Sequence, residues 1–210
     1  MMLNILSFCY TTGERTSTSP VVAGRGKGYN KENASAFQGH QREKNSMTDA
    51  IQIIATGGTF DKKYDEIEGT LTFKSSHLPG IMKIVRCTLP YEITFLPLKD
   101  SLFMDDTDRN TIVKTCREST AKRIIIIHGT DTMTETGRFI GAAALDKTIV
   151  LTGAMIPYSV SSSDAVFNLG TAIGYVMEKE CGTYLCMNGR CFNWDSVRKN
   201  KKKGVFEELN

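Results

Sequence analysis

The segment from Arg123 to Thr136 constrains the fold more than any other stretch. It reads Arg-Ile-Ile-Ile-Ile-His-Gly-Thr-Asp-Thr-Met-Thr-Glu-Thr. Four consecutive isoleucines are typical of a strand buried on both faces, as in a parallel sheet covered by helices. Gly129 ends this strand, and Thr132 with Glu135 fits the capping box that opens a helix. The segment therefore predicts a strand, a short loop and a helix.

Thr130 and Asp131 lie in that loop, at the carboxyl end of a central strand and next to a helix start. Open α/β sheets bind ligands at this place. The positive end of a helix also stabilises a carboxylate or a bound anion. A hydroxyl and a carboxylate held side by side here can orient a small polar substrate.

Four other segments have strand patterns, namely residues 51–56, 91–98, 148–152 and 183–187. Helical patterns separate them, and the loops are short. Strands that alternate with helices form parallel sheets with right-handed crossovers. We therefore predict an α/β fold, a three-layer doubly wound parallel sheet of about five strands, flavodoxin- or Rossmann-like, in the order 2-1-3-4-5.

Composition divides the chain into two parts. The first 47 residues are rich in Ser, Thr, Gly and Asn, so we predict a disordered N-terminal extension over residues 1–47. We assign residues 48–210 to one α/β domain. A chain of 210 residues with 40% hydrophobic content is long enough for such a domain and a tail.

Charge and cysteine usage exclude several classes of function. A net charge of +3 gives no support for nucleic-acid binding, and no apolar run approaches the length of a membrane helix. The six cysteines form no C-x-x-C pair and the three histidines are far apart, so we expect no metal and no cofactor. We interpret the cysteines as reduced thiols of a cytoplasmic protein. Five basic residues within 198–203 are interpreted as a solvated segment rather than a nucleic-acid or localisation signal.

Two further strand ends carry polar residues. A glycine pair ending in Gly58 precedes Thr59, and Ser101 follows the second strand. Because the carboxyl ends of parallel strands share one edge, we expect Thr59, Ser101, Thr130 and Asp131 to converge. The simpler alternative, that each is only a cap or turn residue, stays open for any one of them alone.

This set of residues suits acyl-transfer chemistry. A threonine hydroxyl is a poor nucleophile that needs a base, often through a second hydroxyl and a neutral lysine. Asp131 can bind a substrate ammonium, and Ser101 can bind its carboxylate. Backbone N–H groups near Gly58 and Thr130 can stabilise an oxyanion. Residues 61–72 are charged and carry a glycine, which fits either a mobile flap or an ordinary surface connection.

Four motifs together resemble the L-asparaginase/glutaminase family. They are residues 55–59 (Ala-Thr-Gly-Gly-Thr), 128–133 (His-Gly-Thr-Asp-Thr-Met), 151–155 (Leu-Thr-Gly-Ala-Met) and 164–169 (Asp-Ala-Val-Phe-Asn-Leu). The resemblance covers about residues 51–195, and the motifs occur in the family's order. It implies that the chain is an amidohydrolase built on the family's N-terminal domain.

The resemblance also assigns roles to residues. It implies that Thr59 accepts the acyl group, that Thr130, Asp131 and a lysine form a second triad, and that Ser101 contacts the substrate carboxylate. Counting along the last helix places the lysine at Lys179. A solvent-facing lysine at a helix end is an equal alternative, whereas burial beside Thr130 would lower the pKa of Lys179 and suit it to proton transfer.

Two departures from the family pattern affect the expected function. Large family members have a second domain, and this sequence resembles the small single-domain members more closely. Leu102 follows Ser101 where the large enzymes have a glutamine that touches substrate. We expect a homodimer that closes the exposed site, and we interpret His128 as a hydrogen-bonded strand-end residue rather than a catalytic one.

Three functions follow as hypotheses. The first is hydrolysis of L-asparagine, or a related small amino-acid amide, through a threonine acyl-enzyme. The second is a catalytically weak or inactive module that binds aspartate-like ligands. The third, a nucleotide-binding Rossmann protein, fits less well because Gly57-Gly58-Thr59 is not G-x-G-x-x-G and no acidic ribose partner follows.

Overall fold

The computed structural model describes residues 50–209. The predicted disordered extension, residues 1–47, lies outside them, and the proposed domain start at residue 48 stays a prediction. The strands are β1 (Ile51–Gly57), β2 (Lys63–Asp65), β3 (Thr70–Thr72), β4 (Tyr91–Lys99), β5 (Arg123–Ile127), β6 (Thr148–Thr152), β7 (Gly182–Met187), β8 (Arg190–Asn193), β9 (Val197–Asn200) and β10 (Val205–Glu208). The helices are α1 (Leu78–Ile84), α2 (Asp106–Glu118), α3 (Met133–Ala142) and α4 (Ala165–Glu178), and single 3₁₀ turns cover Thr59–Asp61 and Ser101–Phe103. Between residues 50 and 209 no helix has the length and apolar character needed to cross a membrane.

The main sheet has six strands in the order β4-β1-β5-β6-β7-β8. The first five are parallel, and they confirm the predicted fold class and the order 2-1-3-4-5, because β4 is the second of the predicted strands. The sixth strand, β8, is additional to the five predicted strands, and it pairs antiparallel with β7. Asn188 and Gly189 form the turn between them with φ of 56° and 76°, as a two-residue hairpin requires.

Two apolar cores lie on opposite faces of this sheet. On one face, Ile125 and Val150 pack with α1 and α4. On the other, Ile126 and Leu151 pack with α2 and α3. All four isoleucines of β5 are completely buried, as their run in the sequence predicts. This sandwich fixes β5 in the centre of the sheet, and so it fixes the loop that follows it.

The helix after β5 begins where the sequence predicts, but its cap differs. Thr132 is the N-cap residue and makes no side-chain capping bond. Its hydroxyl donates instead to the carbonyl oxygen of Ser101, at 2.9 Å. Glu135 pairs with Arg109 of α2 at 3.0 Å. Tertiary contacts therefore replace the expected capping box, and they join the two loops that follow β4 and β5.

The basic segment near the C-terminus is part of a strand pair that the sequence did not reveal. Here β9 and β10 pair antiparallel, with Lys199 opposite Phe206. Asn188 holds this hairpin to the main sheet, since its side-chain oxygen accepts from the N–H of Phe206 at 3.1 Å. One face of β9 thus points back toward the loop after β5.

Candidate active site

The loops that follow β1, β4 and β5 pack tightly against one another, and glycines make this close contact possible. A side chain on Gly58 would overlap the backbone of Gly129, and one on Gly129 would overlap the side chain of Ser101. Gly58 also has φ of 74°, which favours glycine. The loops after β1, β4 and β5 are therefore stacked, and this contact sets the neighbouring Thr59, Ser101 and Thr130 at one edge of the sheet.

Lys199 completes a polar cluster at this edge. Its Nζ donates to Thr130 Oγ1 at 2.8 Å and to Asp131 Oδ1 at 2.8 Å. The Lys199 side chain is only 10% exposed, whereas that of Asp131 is 36% exposed. A lysine that touches both a hydroxyl and a carboxylate can exchange protons with the hydroxyl while the carboxylate stays open to a ligand.

The structure thus brings Lys199, and not the expected Lys179, into contact with Thr130 and Asp131. Lys179 is the C-cap of α4. Its carbonyl oxygen accepts from the hydroxyl of Thr148, at the start of β6, so it lies at the amino-terminal edge of the sheet. Its ammonium lies 5.3 Å from the ring centroid of Tyr184. The short connection after α4 leaves Lys179 at the wrong end of the strands to reach Thr130.

Ser101 presents a buried hydroxyl without a partner. The residue is 1% exposed, and Ser101 Oγ has no hydrogen bond to any of the described residues. A buried hydroxyl left unsatisfied costs free energy, about 1–3 kcal/mol in mutational data. The Oγ lies against Gly129. The structure therefore buries the predicted substrate-binding hydroxyl of Ser101 and, among residues 50–209, supplies no partner for it.

Gly58 differs from its predicted role in one respect. Its N–H donates to the carbonyl oxygen of Lys99 at 2.9 Å. Because that hydrogen is already used, it is not available to an oxyanion or a substrate. Gly58 instead allows close approach of the β1 and β5 loops, so its contribution to the site is steric.

The ring of His128 is hydrogen-bonded at the end of its strand, as its sequence position suggested. It is fully buried at the end of β5. Its Nδ1 lies 2.8 Å from the carbonyl oxygen of Gly129, and its Nε2 lies 2.9 Å from Thr136 Oγ1. A carbonyl can only accept, so we assign the ring hydrogen to Nδ1, and Nε2 then accepts from Thr136. Burial lowers the pKa of His128 to about 4.

This histidine predicts a pH dependence of stability. Because the folded pKa of His128 is about 4 and its ordinary value is 6.5, the unfolded chain binds the extra proton between these values. The stabilisation is therefore complete above the unfolded pKa and is lost as pH falls toward the folded pKa, by roughly 3 kcal/mol in total. Urea unfolding at about pH 7 and about pH 5 measures the first part of this loss, about 2 kcal/mol.

The control is His128→Gln, which keeps a donor and an acceptor but does not titrate. We expect its free energy of unfolding to lack the His128 part of the pH slope. An equal slope in parent and variant would contradict the assignment, as would an NMR titration in which the His128 ring protonates near its ordinary pKa.

The segment after Thr59 is a hairpin of β2 and β3, and it is anchored at its base. Lys62 Nζ pairs with Asp100 Oδ2 at 2.5 Å. The hydroxyl of Ser159 donates to the carbonyl oxygen of Lys62 at 2.9 Å. The tip, around Ile67, is exposed. A fixed base and an exposed tip fit either a flap or a surface connection, so both interpretations of this segment stand.

The described residues offer no cluster of the usual metal ligands. Between residues 50 and 209, no group of three or more His, Cys, Asp or Glu side chains could hold a metal ion. The expectation of a site without metal or cofactor stays a prediction. The loops at this edge carry residues suited to covalent and acid–base catalysis, namely Thr59, Ser101, Thr130, Asp131 and Lys199.

Fold and site together define a doubly wound α/β domain with a Thr-Lys-Asp cluster at the carboxyl ends of its parallel strands. A sequence profile of known proteins then gives the family. The profile described as "Asparaginase, N-terminal" matches residues 50–206. The chain belongs to the asparaginase family, which confirms the resemblance carried by its motifs.

Individual proteins named as asparaginases also match the chain. The chain is 28% identical over 165 residues to a glutaminase-asparaginase of Acinetobacter glutaminasificans, covering 71% of this chain and 49% of that protein. It is 26% identical over 165 residues to an L-asparaginase of Bacillus licheniformis, covering 73% and 50%. The solved thermostable L-asparaginase from Thermococcus kodakarensis superposes with a TM-score of 0.68 at 25% identity, covering 77% and 51%. The chain thus spans about half the length of these relatives.

The family likeness extends to a second kind of amide chemistry. A glutamyl-tRNA(Gln) amidotransferase component of Methanococcus maripaludis (strain C7) is 28% identical over 160 residues, covering 70% of this chain and 37% of that protein. Relatives of this chain therefore include proteins named for amide hydrolysis and for amide transfer.

Proposed function

We propose that this chain hydrolyses L-asparagine, or a related small amino-acid amide, to the acid and ammonia. The observation that carries the proposal is the contact of Lys199 with both Thr130 and Asp131, beside the loop that bears Thr59. Family membership supports the same reaction class. The names of the relatives in the family include asparaginases and a glutaminase-asparaginase.

The proposed reaction has two steps. In the first, Thr59 Oγ attacks the side-chain amide carbon, the hydroxyl proton passes to the departing nitrogen, and ammonia leaves an ester on Thr59. In the second, water attacks the ester, and the acid departs as the Thr59 hydroxyl is restored. Thr130 and Lys199 exchange the protons, since they share a hydrogen bond and the loop of Thr130 packs against the loop of Thr59.

Substrate binding uses the remaining groups. Asp131 Oδ1 accepts a hydrogen bond from Lys199, and the rest of the partly exposed carboxylate can accept from a substrate ammonium. Ser101 Oγ, buried and without a partner among residues 50–209, can donate to a substrate carboxylate. A small α-amino acid amide carries both groups, so this pair of contacts selects that class of substrate.

An ammonia-release assay on the purified full chain tests the proposal, with asparagine and glutamine as substrates. We expect ammonia from asparagine and none from a parallel preparation of Thr59→Ala. Ammonia from glutamine alone would move the preferred substrate within the same class. No ammonia from either substrate would overturn the proposed hydrolysis.

A second candidate is a weak or inactive module that binds aspartate-like ligands. Leu102 favours it, because an exposed apolar side chain next to Ser101 offers a substrate no hydrogen bond. Calorimetry separates the two candidates. Heat of aspartate binding without ammonia release from asparagine would select the binding module over the amidohydrolase.

We also propose that the chain forms a homodimer and acts in the cytoplasm. The support for association is the exposure of four apolar side chains in the segments that follow Thr59 and Ser101, namely Tyr64, Ile67, Leu102 and Phe103. Contiguous apolar surface on a protein marks an interaction site. Sedimentation velocity gives the oligomeric state, and a monomer at every concentration tested would contradict the dimer.

A further inference from the structure

A buried carboxylate lies next to the proposed nucleophile and has no role in the reaction described above. Asp61 ends the 3₁₀ turn that begins at Thr59, and it is completely buried. Burial raises the pKa of Asp61, while hydrogen bonds from the His77 N–H and the Ser76 hydroxyl act in the opposite direction. Enclosing a carboxylate in a protein costs free energy unless hydrogen bonds compensate it. The fold thus places a carboxylate whose burial costs free energy two residues after Thr59.

The contacts of Asp61 join the Thr59 turn to the body of the domain. One oxygen, Asp61 Oδ1, accepts from Ser76 Oγ and from the His77 N–H, both at 2.9 Å. His77 is the N-cap residue of α1, and Leu78 behind it is completely buried in the core. Asp61 therefore connects the turn to the start of a packed helix.

Two backbone bonds hold the residues on either side of Thr59 in the chain. The N–H of Tyr158 donates to the carbonyl oxygen of Phe60 at 3.3 Å, and that of Gly58 donates to Lys99. Thr59 thus lies between fixed neighbours on both sides. Of these links, only the one at Asp61 is made by a side chain of the turn.

We propose that Asp61 is a positioning residue, which sets the Thr59 hydroxyl against the Thr130–Lys199 pair by holding the Thr59–Asp61 turn to the start of α1. The inference rests on the proposed function for its kinetic consequence and on the contacts above for its structural one. The other oxygen, Asp61 Oδ2, is buried and has no partner among residues 50–209. The bonds that hold the turn therefore need one acceptor oxygen and no charge.

This detail makes the inference testable with a conservative change. Asp61→Asn keeps an oxygen for Ser76 and His77 and places its amide where the unpartnered oxygen lies. Asp61→Ala removes both bonds. If Asp61 only positions Thr59, asparagine substitutes for it and alanine does not. If the charge of Asp61 acts in the reaction, both variants lose activity.

Kinetics with asparagine give the first readout. For Asp61→Ala we expect kcat to fall about 10²-fold, because misplacing a reacting group by about 1 Å has such an effect. KM should change less than about threefold, and Asp61→Asn should stay within about threefold of the parent in both constants. Asp65→Ala is the matched control, since Asp65 lies in the hairpin that follows this turn, and within residues 50–209 its side chain bonds to its own loop and to Lys74. It should stay within about twofold of the parent.

Hydrogen exchange gives a readout that does not need activity. Amides of residues 58–62 should exchange faster in Asp61→Ala and at the parent rate in Asp61→Asn. If Asp61→Ala does not fold, Ser76→Ala removes one of the two bonds from the other side, and we expect about a fivefold loss of kcat. Parent-like exchange in Asp61→Ala, or an Asp61→Asn protein as impaired as Asp61→Ala, would overturn the inference. A parent that releases no ammonia would remove the proposed function and leave the exchange result to decide the role of Asp61.

Discussion

Replacing Lys199 with methionine is expected to lower ammonia release from asparagine about 10³-fold, the range seen when a proton-transfer group is removed. Methionine keeps the length of the side chain and removes its charge and its hydrogen bonds. Lys199 is the described residue that bridges Thr130 Oγ1 and Asp131 Oδ1. Without it, the Thr130 hydroxyl loses its partner, and the proposed nucleophile loses its route for the proton.

Lys179→Met is the matched control, because the same substitution is made in the same chain at the opposite edge of the sheet. We expect its kcat to stay within about twofold of the parent. A loss in Lys179→Met with a fully active Lys199→Met would restore the lysine expected from the sequence and contradict the site. Melting temperatures of both variants show whether a loss of activity reflects unfolding.

Replacing Thr59 with alanine should have the largest effect, at least about 10⁴-fold on kcat, because a covalent route has no substitute for its nucleophile. Aspartate affinity should change less than about threefold, since Ser101 and Asp131 carry the proposed binding. Thr59→Ser keeps the hydroxyl and should recover part of the activity. Calorimetry and ammonia release measure the two effects separately.

Thr70→Ala controls for the loss of a threonine, since Thr70 is an exposed residue of the hairpin that follows Thr59. It should behave as the parent. Equal ammonia release from Thr59→Ala and the parent would remove the threonine acyl-enzyme. It would direct attention to Thr130 or to a bound water as the nucleophile.

The parts of the fold that the sequence predicts are those with local signals. The isoleucines of β5 predict a buried strand, and Gly129 predicts its end. The strand order follows from alternation and crossover rules. The same rules bring Gly58, Ser101 and Thr130 to one edge, because each follows a parallel strand.

The contact between Lys199 and Thr130, in contrast, has no local signal in the sequence. Lys199 and Thr130 are 69 positions apart, and β9 lies outside the main sheet. A run of basic residues is ordinarily solvated, which directed the interpretation away from a buried lysine. The feature that could have indicated the position of Lys199 is the alternation within β9, where Val197 is buried and Arg198 is exposed. That period places Lys199 on the inward face with Val197.

Helix capping shows the same limit at a single residue. Thr132 fits the capping-box pattern in the sequence, yet its hydroxyl donates to the carbonyl oxygen of Ser101, 31 positions earlier. Local propensity is a weak prior that tertiary contacts override. Here the tertiary hydrogen bond of Thr132 contributes to the site, because it joins the loops that carry Ser101 and Thr130.

Trapping the acyl-enzyme tests the central claim most directly. The full chain is mixed with asparagine, quenched in acid, digested and mapped by mass spectrometry. The proposed site predicts an aspartyl ester on the peptide that contains Thr59, and no ester on that peptide in Thr59→Ala. An ester on another residue, or ammonia released with no ester on Thr59 at any quench time, would contradict it.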